Sequence, residues 1–500
     1  MYKKAFAQRT KGNNFLIHLW EDQGYSKVEW TNQAYIECDD HQSTHMGLNG
    51  ESLRKTSNWR SDNPKLHFHD MTPYQKFLVE KYGVNDEPST TQREVFFDIE
   101  TEMGDALTED YIKSAPKKVT SIAWYDKQVD LWGILILDPK SKMERTKAKN
   151  REIVPCQTER ELLLKFLERF REIDPDIIVG WNSDYFDIPK LDAIGEKYAG
   201  LNKIEYDGNL DKLFEDDPLK FIQYNFRDVE ILKVLDEKLD YLALVKNLAH
   251  KGKHNYSEVY ANTKTQDGAI SAYLLSQKII PPAKERNPLS KKNYAGGYLF
   301  CPKAGIYNYV FDEDLTSLYP SIIMTINIGK ETMVGRIIDS DDRNNRLGLN
   351  DLKRKDPEEE LIIENVKRSR TKVKVDRLIG MVEQNNLSIS ANGVMFNTDR
   401  ESVLSTILKK WFDERVLYKG KMSKAYKAGD KELGASYYMK QYTMKILLNS
   451  LYGATALGSF RYGNVILSEA ITLSGQRIIQ ESALVANKHI NKVMKNEIVL

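Results

Sequence analysis

The sequence predicts a multidomain protein of α/β and α+β class, and three observations support this prediction. Its 500 residues exceed one ordinary domain, which has roughly 100–200 residues. Short apolar runs typical of buried strands alternate with an amphipathic helix pattern between residues 93 and 242. Long amphipathic patterns after residue 400 predict a mainly helical C-terminal part.

Composition restricts the class of protein without giving a function. Apolar residues make up 41% of the chain and charged residues 29%, which is typical of globular proteins. No apolar run reaches the roughly 18–20 residues of a membrane span, and the N-terminus lacks a signal-peptide core. The three cysteines are far apart, which favours a reducing cytoplasm. A net charge of +1 neither supports nor excludes a nucleic-acid partner.

The first half of the chain divides into two patterns. Residues 1–92 mix short strand-like runs with polar turns. His67 and His69 alternate there and could bind zinc, but without a third ligand nearby we favour an ordinary strand. Residues 93–242 contain apolar strand patterns at 95–100 and 177–180 and an amphipathic helix at 159–173.

The second half begins with a linking segment at 243–293. A strand, a turn and a helix start are predicted over 310–323. The densely charged segment 339–377 is interpreted as a solvated surface insertion, with a DNA contact as the alternative. Residues 400–455 predict two long helices joined near Gly429, and residues 468–493 predict one more long helix.

One set of acidic residues is placed for metal-assisted chemistry. Asp98 and Glu100 are two apart on a predicted strand, so both side chains point to one face. Apolar neighbours indicate that this strand is buried, where two carboxylates need a metal or charge partners. Tyr224 and Asp228 share one face of a helix at i and i+4. Taken alone, the Asp98 pair is equally compatible with an exposed strand end.

In the order D-x-E, N-x-x-x-F-D and Y-x-x-x-D, these segments resemble the 3′→5′ exonuclease domains of the DnaQ-like type. The resemblance implies that Asp98, Glu100 and Asp228 hold one divalent ion, which lowers the pKa of a bound water. Asp98 and Asp187 would hold a second ion that stabilises the leaving 3′ oxygen. Asp184 lies in the same segment, but by resemblance the aspartate after Phe186 is the ligand. Tyr224 would orient the attacking water or the scissile phosphate.

A second motif lies at residues 311–323, where Asp314 precedes the string L-T-S-L-Y-P-S. It resembles motif A of the family B DNA polymerases. The resemblance implies that Asp314, with Leu315, is the metal site and that backbone groups at Leu315, Ser317 and Leu318 cradle an incoming triphosphate. Tyr319 would lie under the sugar and reject a 2′-hydroxyl. The alternative is a strand-to-helix turn with a capping acid.

The helical hairpin carries cations and polar residues at helical spacing. Arg415 and Lys419 fall at i and i+4, and Lys445, Asn449 and Tyr452 fall at i, i+4 and i+7. Two such faces form a cationic clamp for a triphosphate, which phosphoryl transfer requires. By resemblance to the nucleotide-binding helix of the same polymerases, Tyr452 and Gly453 would lie against the nascent base pair. The alternative is an exposed basic hairpin.

The resemblance extends over nearly the whole chain. The motifs are similar in order and spacing to those of the polymerases of T-even-type bacteriophages. It implies an OB-like N-terminal domain at 1–92, to which 243–293 returns, and a ribonuclease-H-like exonuclease domain at 93–242. A palm with a ferredoxin-like sheet would comprise 294–399 and 456–500, and residues 400–455 would be helical-hairpin fingers. The residues expected to contact template DNA in addition to Gly453 are Tyr294, Gly296 and Gly297.

The resemblance therefore implies the N-terminal part of a replicative DNA-directed DNA polymerase with proofreading. Because an Asp-Thr-Asp motif and a thumb do not occur in the sequence, we expect polymerisation to need a C-terminal part or partner chain. Expected substrates are primer–template DNA and dNTPs, with two Mg²⁺ or Mn²⁺ ions per site. A sliding clamp is a candidate partner, the host-cell cytoplasm is the expected location, and no membrane is expected. The alternative is a stand-alone exonuclease whose palm only binds DNA.

Overall fold

The computed structural model describes residues 1–102, 117–180, 201–206, 208–285, 295–300, 304–306, 314–338 and 348–494. The chain divides into two compact units. The first unit comprises Met1–Lys3, Trp20–Gly24 and Ser89–Ala243. The second unit comprises Lys4–Leu19, Tyr25–Pro88 and Leu244–Leu500. Several sheets and many helices confirm the mixed α/β, multidomain class.

Two small sheets are built largely from the first 92 residues. Strands β1 (Tyr2–Arg9), β2 (Asn14–Glu21) and β3 (Gly24–Thr31) form one sheet in that order. The other has the order β14-β5-β6-β4-β7, and its strands are β4 (Ala34–Glu37), β5 (His45–Gly47), β6 (Ser52–Thr56), β7 (Leu66–His67) and β14 (Ile279–Ile280). Helix α1 (Pro73–Tyr82) follows. His67 lies on β7 with its Nε2 3.3 Å from Glu37 Oε1, as an ordinary strand residue.

The first unit contains a six-stranded mixed sheet of order β11-β12-β10-β9-β8-β13. The strands are β8 (Glu94–Thr101), β9 (Val119–Asp126), β10 (Leu131–Leu137), β11 (Thr146–Ala148), β12 (Arg151–Cys156) and β13 (Ile177–Val179). Strands β8, β9 and β10 are antiparallel neighbours, and β13 runs parallel to β8. The strands predicted at 95–100 and 177–180 are thus confirmed. Gly133 on β10 is required because a Cβ there would meet the ring of Trp124 at 2.0 Å.

Three helices of the first unit accompany this sheet, and two of them pack directly on its strands. Helix α2 (Glu159–Ile173) confirms the predicted amphipathic helix, and Thr158 caps it by accepting the Glu161 N–H at 3.2 Å. Helix α3 (Leu210–Asp216) leads into α4 (Pro218–Leu239), whose Asp217 cap and first-turn proline define its start. Helix α4 packs on β8, β9 and β10 and buries Phe221, Tyr224 and Val229. Each apolar side chain buried in this way stabilises the unit by about 1.5–3 kcal/mol.

The second unit contains a five-stranded antiparallel sheet of order β17-β16-β15-β19-β18. Its strands are β15 (Met333–Ile338), β16 (Glu360–Asn365), β17 (Arg370–Lys374), β18 (Leu387–Ile389) and β19 (Val394–Asn397). The helices before and between them are α5 (Tyr241–Gly252), α6 (Asn262–Ser276), α7 (Leu318–Ile326), α8 (Leu349–Leu352) and α9 (Val375–Gln384).

The described part of the charged segment 339–377 is more integrated than we expected. Its strands β16 and β17 extend the sheet, and Leu352, Leu361 and Val375 are buried in a core with Ile337 of β15. Its charges pair across the exposed face, as in the 3.4 Å contact between the carboxylate of Glu360 on β16 and the ammonium group of Lys372 on β17. The segment is therefore a packed extension of the sheet with a charged outer surface.

Three long helices complete the second unit. Helices α10 (Val403–Lys427) and α11 (Lys431–Thr455) pack along each other as the predicted hairpin, and Gly429 between them has φ +81°. Helix α12 (Val465–Met494) confirms the last predicted helix. Their buried core includes Trp411, Leu448 and Ile322. No helix among the described residues is both long and apolar enough to cross a membrane.

A buried arginine anchors the loop between α11 and α12. Arg461 is fully buried, and its guanidinium donates to Asp267 Oδ1 at 2.8 Å and to Asp70 Oδ1 at 2.6 Å. The Lys284 ammonium lies 3.2 Å from Asp267 Oδ2. Removal of one partner from such a buried ion pair is strongly destabilising because the remaining charge stays desolvated. Arg461 thus fixes α6 against the segments that follow α11.

Candidate active sites

The first candidate site is a cluster of three carboxylates between β8 and α4. Asp98 and Glu100 project from one face of β8, and Asp228 projects from α4, which packs on that strand. One carboxylate oxygen from each residue lies within 4.8 Å of the other two. Among the described residues, this is the one group of three or more His, Cys, Asp or Glu side chains placed closely enough to share a metal ion. The packing of α4 on β8 thus brings together three of the acidic residues that the sequence analysis named.

An asparagine that the sequence analysis missed orients one of these carboxylates. Asn225 is fully buried on α4, and its side-chain amide donates to Asp98 Oδ2 at 2.9 Å. The amide oxygen of Asn225 accepts from Ser121 Oγ at 3.2 Å. Ser121 lies opposite Glu100 in the register of β8 and β9. The buried amide therefore links two strands to the helix and holds the Asp98 carboxylate in one orientation.

A lysine that the sequence analysis also missed enters the cluster. Lys203 Nζ lies 2.8 Å from Asp228 Oδ2 and 3.1 Å from Tyr224 Oη. Its side chain is only 14% exposed. The ring of Tyr206 packs edge-on against the ring of Tyr224, with centroids 5.5 Å apart. Lys203 is therefore a cation held at the side of the cluster, between a carboxylate and a phenol.

The carboxylates raise one another's proton affinity. Burial and the neighbouring Asp228 raise the pKa of Asp98 to about 6. Burial, Asp98 and Asp228 raise the pKa of Glu100 to about 8, and the Asp98 and Glu100 carboxyls are hydrogen-bonded to each other. Burial beside Asp228 raises the pKa of Tyr224 above its usual range, so its phenol stays protonated.

These features fit a divalent metal site. Three convergent carboxylates supply the hard oxygen ligands that Mg²⁺ and Mn²⁺ prefer. Burial first, and the neighbouring carboxylates second, raise the pKa values of Asp98 and Glu100, so ionisation of both groups calls for compensating positive charge. A divalent cation would supply that charge. Asp187, the fourth expected ligand, lies outside the described residues.

The second candidate site surrounds Tyr319 at the start of α7. The rings of Tyr319 and Tyr452 of α11 lie 4.4 Å apart between centroids. A Cβ on Gly297 would lie 3.2 Å from the Tyr319 hydroxyl, and a Cβ on Gly475 of α12 would lie 3.2 Å from its ring. Gln476 donates to the Gly296 carbonyl at 2.6 Å. The structure therefore brings the predicted residues Gly296, Gly297, Tyr319 and Tyr452 together, while Tyr294 lies outside the described residues.

The turn before α7 has an unusual backbone. Ser317 adopts the left-handed conformation with φ 53° and ψ 48°, which is uncommon for a residue other than glycine. Asp314 and Leu315 precede it and are exposed, and Leu318 begins the helix. Such positions persist only where the surrounding structure enforces them, and they are frequent at functional sites. The turn thus presents Asp314 and its neighbours to solvent.

The cations of the hairpin remain separate from Asp314. Lys419, Lys445 and Asn449 are exposed on α10 and α11, and Gly453 near the end of α11 is also exposed. No hydrogen bond or ion pair within the described ranges joins these side chains or Arg415 to Asp314. Arg415 Nε is buried and has no hydrogen-bond acceptor among the described residues.

Comparisons with known proteins match two long segments of the chain to one family. Residues 76–248 match the family described as DNA polymerase family B, exonuclease domain, and residues 261–499 match DNA polymerase family B. The chain is 23% identical to the DNA-directed DNA polymerase of Escherichia phage RB69, over 94% of this chain and 65% of that protein. It is 24% identical to the corresponding polymerase of Enterobacteria phage T4, over 68% of this chain and 47% of that protein. The DNA polymerase of Pyrococcus glycovorans is 22% identical over 65% of this chain.

Proposed function

The chain belongs to the family B DNA polymerases, and on this premise we propose that it contains the 3′→5′ exonuclease and part of the polymerase active site of a replicative DNA polymerase. The observation that carries the proposal is the Asp98–Glu100–Asp228 cluster inside the matched exonuclease region. The chain spans 65% and 47% of the two phage polymerases it matches. The substrates proposed are primer–template DNA and, at the second site, dNTPs.

We propose that Asp98, Glu100 and Asp228 hold divalent metal ions and that Asp187 completes the ligand set. Ions bound there would generate hydroxide from water at neutral pH and stabilise the oxygen that leaves from the 3′ end. Asn225 holds the Asp98 carboxylate in a fixed orientation, which preserves the ligand geometry during turnover. This support from neighbouring residues explains how a strand and a helix can act as one rigid site.

Lys203 and Tyr224 act on the substrate side of the proposed nuclease. The Tyr224 phenol is protonated, so it can donate to a water or to a phosphate oxygen. The Lys203 ammonium lies 2.8 Å from the Asp228 carboxylate and offsets its charge. Divalent cations held by the carboxylates would offset the charge of Asp228, and the Lys203 ammonium would then be able to pair with the scissile phosphate. Lys203 would thereby exchange one anionic partner for another.

We propose that the second site binds the incoming nucleotide. Asp314 would hold metal together with Leu315, and the turn at Leu315, Ser317 and Leu318 would cradle the phosphates. Tyr319 would lie under the sugar, supported by its packing against Tyr452. The nucleotide contacts proposed on the hairpin are Arg415, Lys419, Lys445 and Asn449. Lys419 and Lys445 are exposed, which supports this assignment because both ammonium groups are accessible to a phosphate.

We further propose that the chain contains parts of four domains. We assign residues 1–92, with the return segment 243–293, to an OB-like N-terminal domain and 93–242 to a ribonuclease-H-like exonuclease. Residues 294–399 and 456–500 are assigned to a palm with a ferredoxin-like sheet, and 400–455 to fingers. The parallel pairing of β14 with β5 supports the return of the chain to the N-terminal domain.

A primer-degradation experiment tests the proposal. The full chain is incubated with Mg²⁺, four dNTPs and a 5′-labelled primer–template that has a mismatched 3′ end. The wild-type protein and Asp314→Ala should shorten the primer at equal rates, and Asp98→Ala should not shorten it. Degradation that survives Asp98→Ala would refute the assignment of the nuclease site. Equal loss in both variants would mean that the two sites are not independent.

A further inference from the structure

Two stacked tyrosines lie on the same face of α11 as the proposed nucleotide contacts. Tyr438, Tyr442 and Lys445 follow at i, i+4 and i+7, so they form one stripe along the helix. The rings of Tyr438 and Tyr442 are within 9° of parallel, with centroids 5.9 Å apart. Tyr438 is 42% exposed. The pair therefore places two parallel rings at the surface, with Tyr438 exposed and Tyr442 half-buried, nearer the hairpin turn than Lys445.

Packing does not account for this surface. The neighbouring Tyr437 stacks on Tyr418 of α10, with the Lys421 ammonium 5.7 Å from its ring centroid, which fixes the two helices together. Neither Tyr438 nor Tyr442 makes a hydrogen bond to any residue that the structure describes. Contiguous aromatic surface of this kind, rimmed by polar residues, is typical of interaction sites.

The charge around the pair is strongly positive. Residues 403–455 contain ten lysines and arginines and four acids, a net charge of +6, whereas the whole chain has a net charge of +1. Lys431 lies seven residues before Tyr438 on the same stripe, and the Lys445 ammonium lies 6.0 Å from the Tyr442 ring centroid. None of the four acids lies on this stripe. The two rings are thus flanked by a cation on each side.

We propose that Tyr438 and Tyr442 form a stacking platform for the bases of single-stranded DNA, with Lys431 and Lys445 at its phosphates. Every base has a π-face, and aromatic side chains beside cations are the chemistry of sequence-tolerant binding to unpaired strands. The phosphates match the excess positive charge of the hairpin, whereas an uncharged or basic partner would not. The platform goes beyond the nucleotide contacts because a triphosphate would engage Lys445 but not require either ring.

Binding of a small single-stranded DNA circle tests the platform. A circle has no 3′ end to enter the proposed nuclease, and EDTA prevents cleavage, so a failure of the nuclease assignment does not affect the result. Fluorescence anisotropy is measured for the full chain with an internally labelled circle. Tyr438→Leu with Tyr442→Leu should weaken binding about fivefold or more, since one stacked base contributes about 1–3 kcal/mol. The slope of affinity against salt should not change because no charge is removed.

Two matched variants separate stacking from other effects. Replacement of both tyrosines by phenylalanine keeps the π-faces and should preserve affinity. Tyr260→Leu removes a tyrosine that is 81% exposed elsewhere in the second unit and should also preserve affinity. Photo-crosslinking of a circle that contains 5-iodouracil should label the peptide with Tyr438 and Tyr442. Unchanged affinity in the double leucine variant, equal loss in the phenylalanine or Tyr260 variant, or crosslinks only elsewhere would overturn the proposal.

Discussion

Replacement of Lys203 by methionine should change metal binding and turnover in opposite directions. The ammonium lies 2.8 Å from the Asp228 carboxylate and competes with a metal ion for it. Two unit charges 4 Å apart interact by about 4 kcal/mol at an effective dielectric constant of 20, and we take this energy as an upper limit. Allowing for screening by solvent, loss of the competing charge should tighten metal binding by about 1.4 kcal/mol, or tenfold.

The maximal rate of the same variant should fall. Methionine cannot donate to the scissile phosphate, and loss of one donor to a developing charge costs about a hundredfold in rate. The assay is the initial rate of 5′-labelled primer degradation, measured across a Mn²⁺ titration. We expect half-saturation at about tenfold lower Mn²⁺ and a maximum about a hundredfold lower.

Two controls make this result specific to the cluster. Lys203→Arg retains the charge and should keep half-saturation near that of the wild type. Lys127→Met removes a lysine that bridges Glu94 and Asp236 at 2.8 and 3.1 Å in the same unit. That variant should destabilise the fold without moving half-saturation. A higher Mn²⁺ requirement in Lys203→Met, or an unchanged maximal rate, would refute the reasoning.

Three further predictions concern charge and independence of the sites. Because the folded pKa of Glu100, about 8, lies above its ordinary 4.5, the folded state retains a proton that the unfolded chain releases. Metal-free stability should therefore fall from about pH 5 to pH 8, and Glu100→Gln should flatten this fall in Tm measured in EDTA; an unaltered slope would contradict it. Arg461→Leu leaves Asp267 without its main cation and should cost about 3–5 kcal/mol by denaturant unfolding, and a loss below 1 kcal/mol would count against the buried cluster. Asp228→Ala should abolish degradation and leave dNTP binding, followed by fluorescent-nucleotide titration, unchanged, and a loss of both would argue for one shared site.

The sequence predicted the carboxylates because periodicity determines which side chains share a face. Asp98 and Glu100 at spacing two, and Tyr224 and Asp228 at spacing four, are placed by strand and helix geometry alone. Periodicity does not say which helix packs on which strand. That part rested on the resemblance, and the packing of α4 on β8 supplies it in the structure.

The residues missed by sequence reasoning contact the site through tertiary packing. Lys203 lies in an irregular segment, 21 residues before Tyr224, and no local pattern places it near Asp228. Asn225 follows Tyr224 directly and so lies outside the helix face that Tyr224 and Asp228 share. The buried face of α4 is wide enough to include Asn225, whose amide therefore reaches Asp98. A polar residue inside an otherwise apolar helix face was the available signal.

The charged segment was misjudged for a related reason. Its many lysines and glutamates suggested full solvation, but β17 alternates exposed Lys372 and Lys374 with the inward Val373. That alternation of period two is the pattern of a strand with one buried face. The density of charge obscured it, because a single apolar residue in five gives little hydrophobic signal.

The most direct measurement of the central claim is anomalous diffraction from crystals of the full chain grown with Mn²⁺. We expect an anomalous peak from an Mn²⁺ ion bound by carboxylate oxygens of Asp98, Glu100 and Asp228, at metal–oxygen distances of about 2.0–2.3 Å. The peak should be absent from crystals of Asp98→Ala prepared in the same way. The contradicting result is a wild-type crystal at saturating Mn²⁺ that shows no peak at the cluster and in which Lys203 still binds Asp228. These residues would then not form a metal-dependent nuclease site.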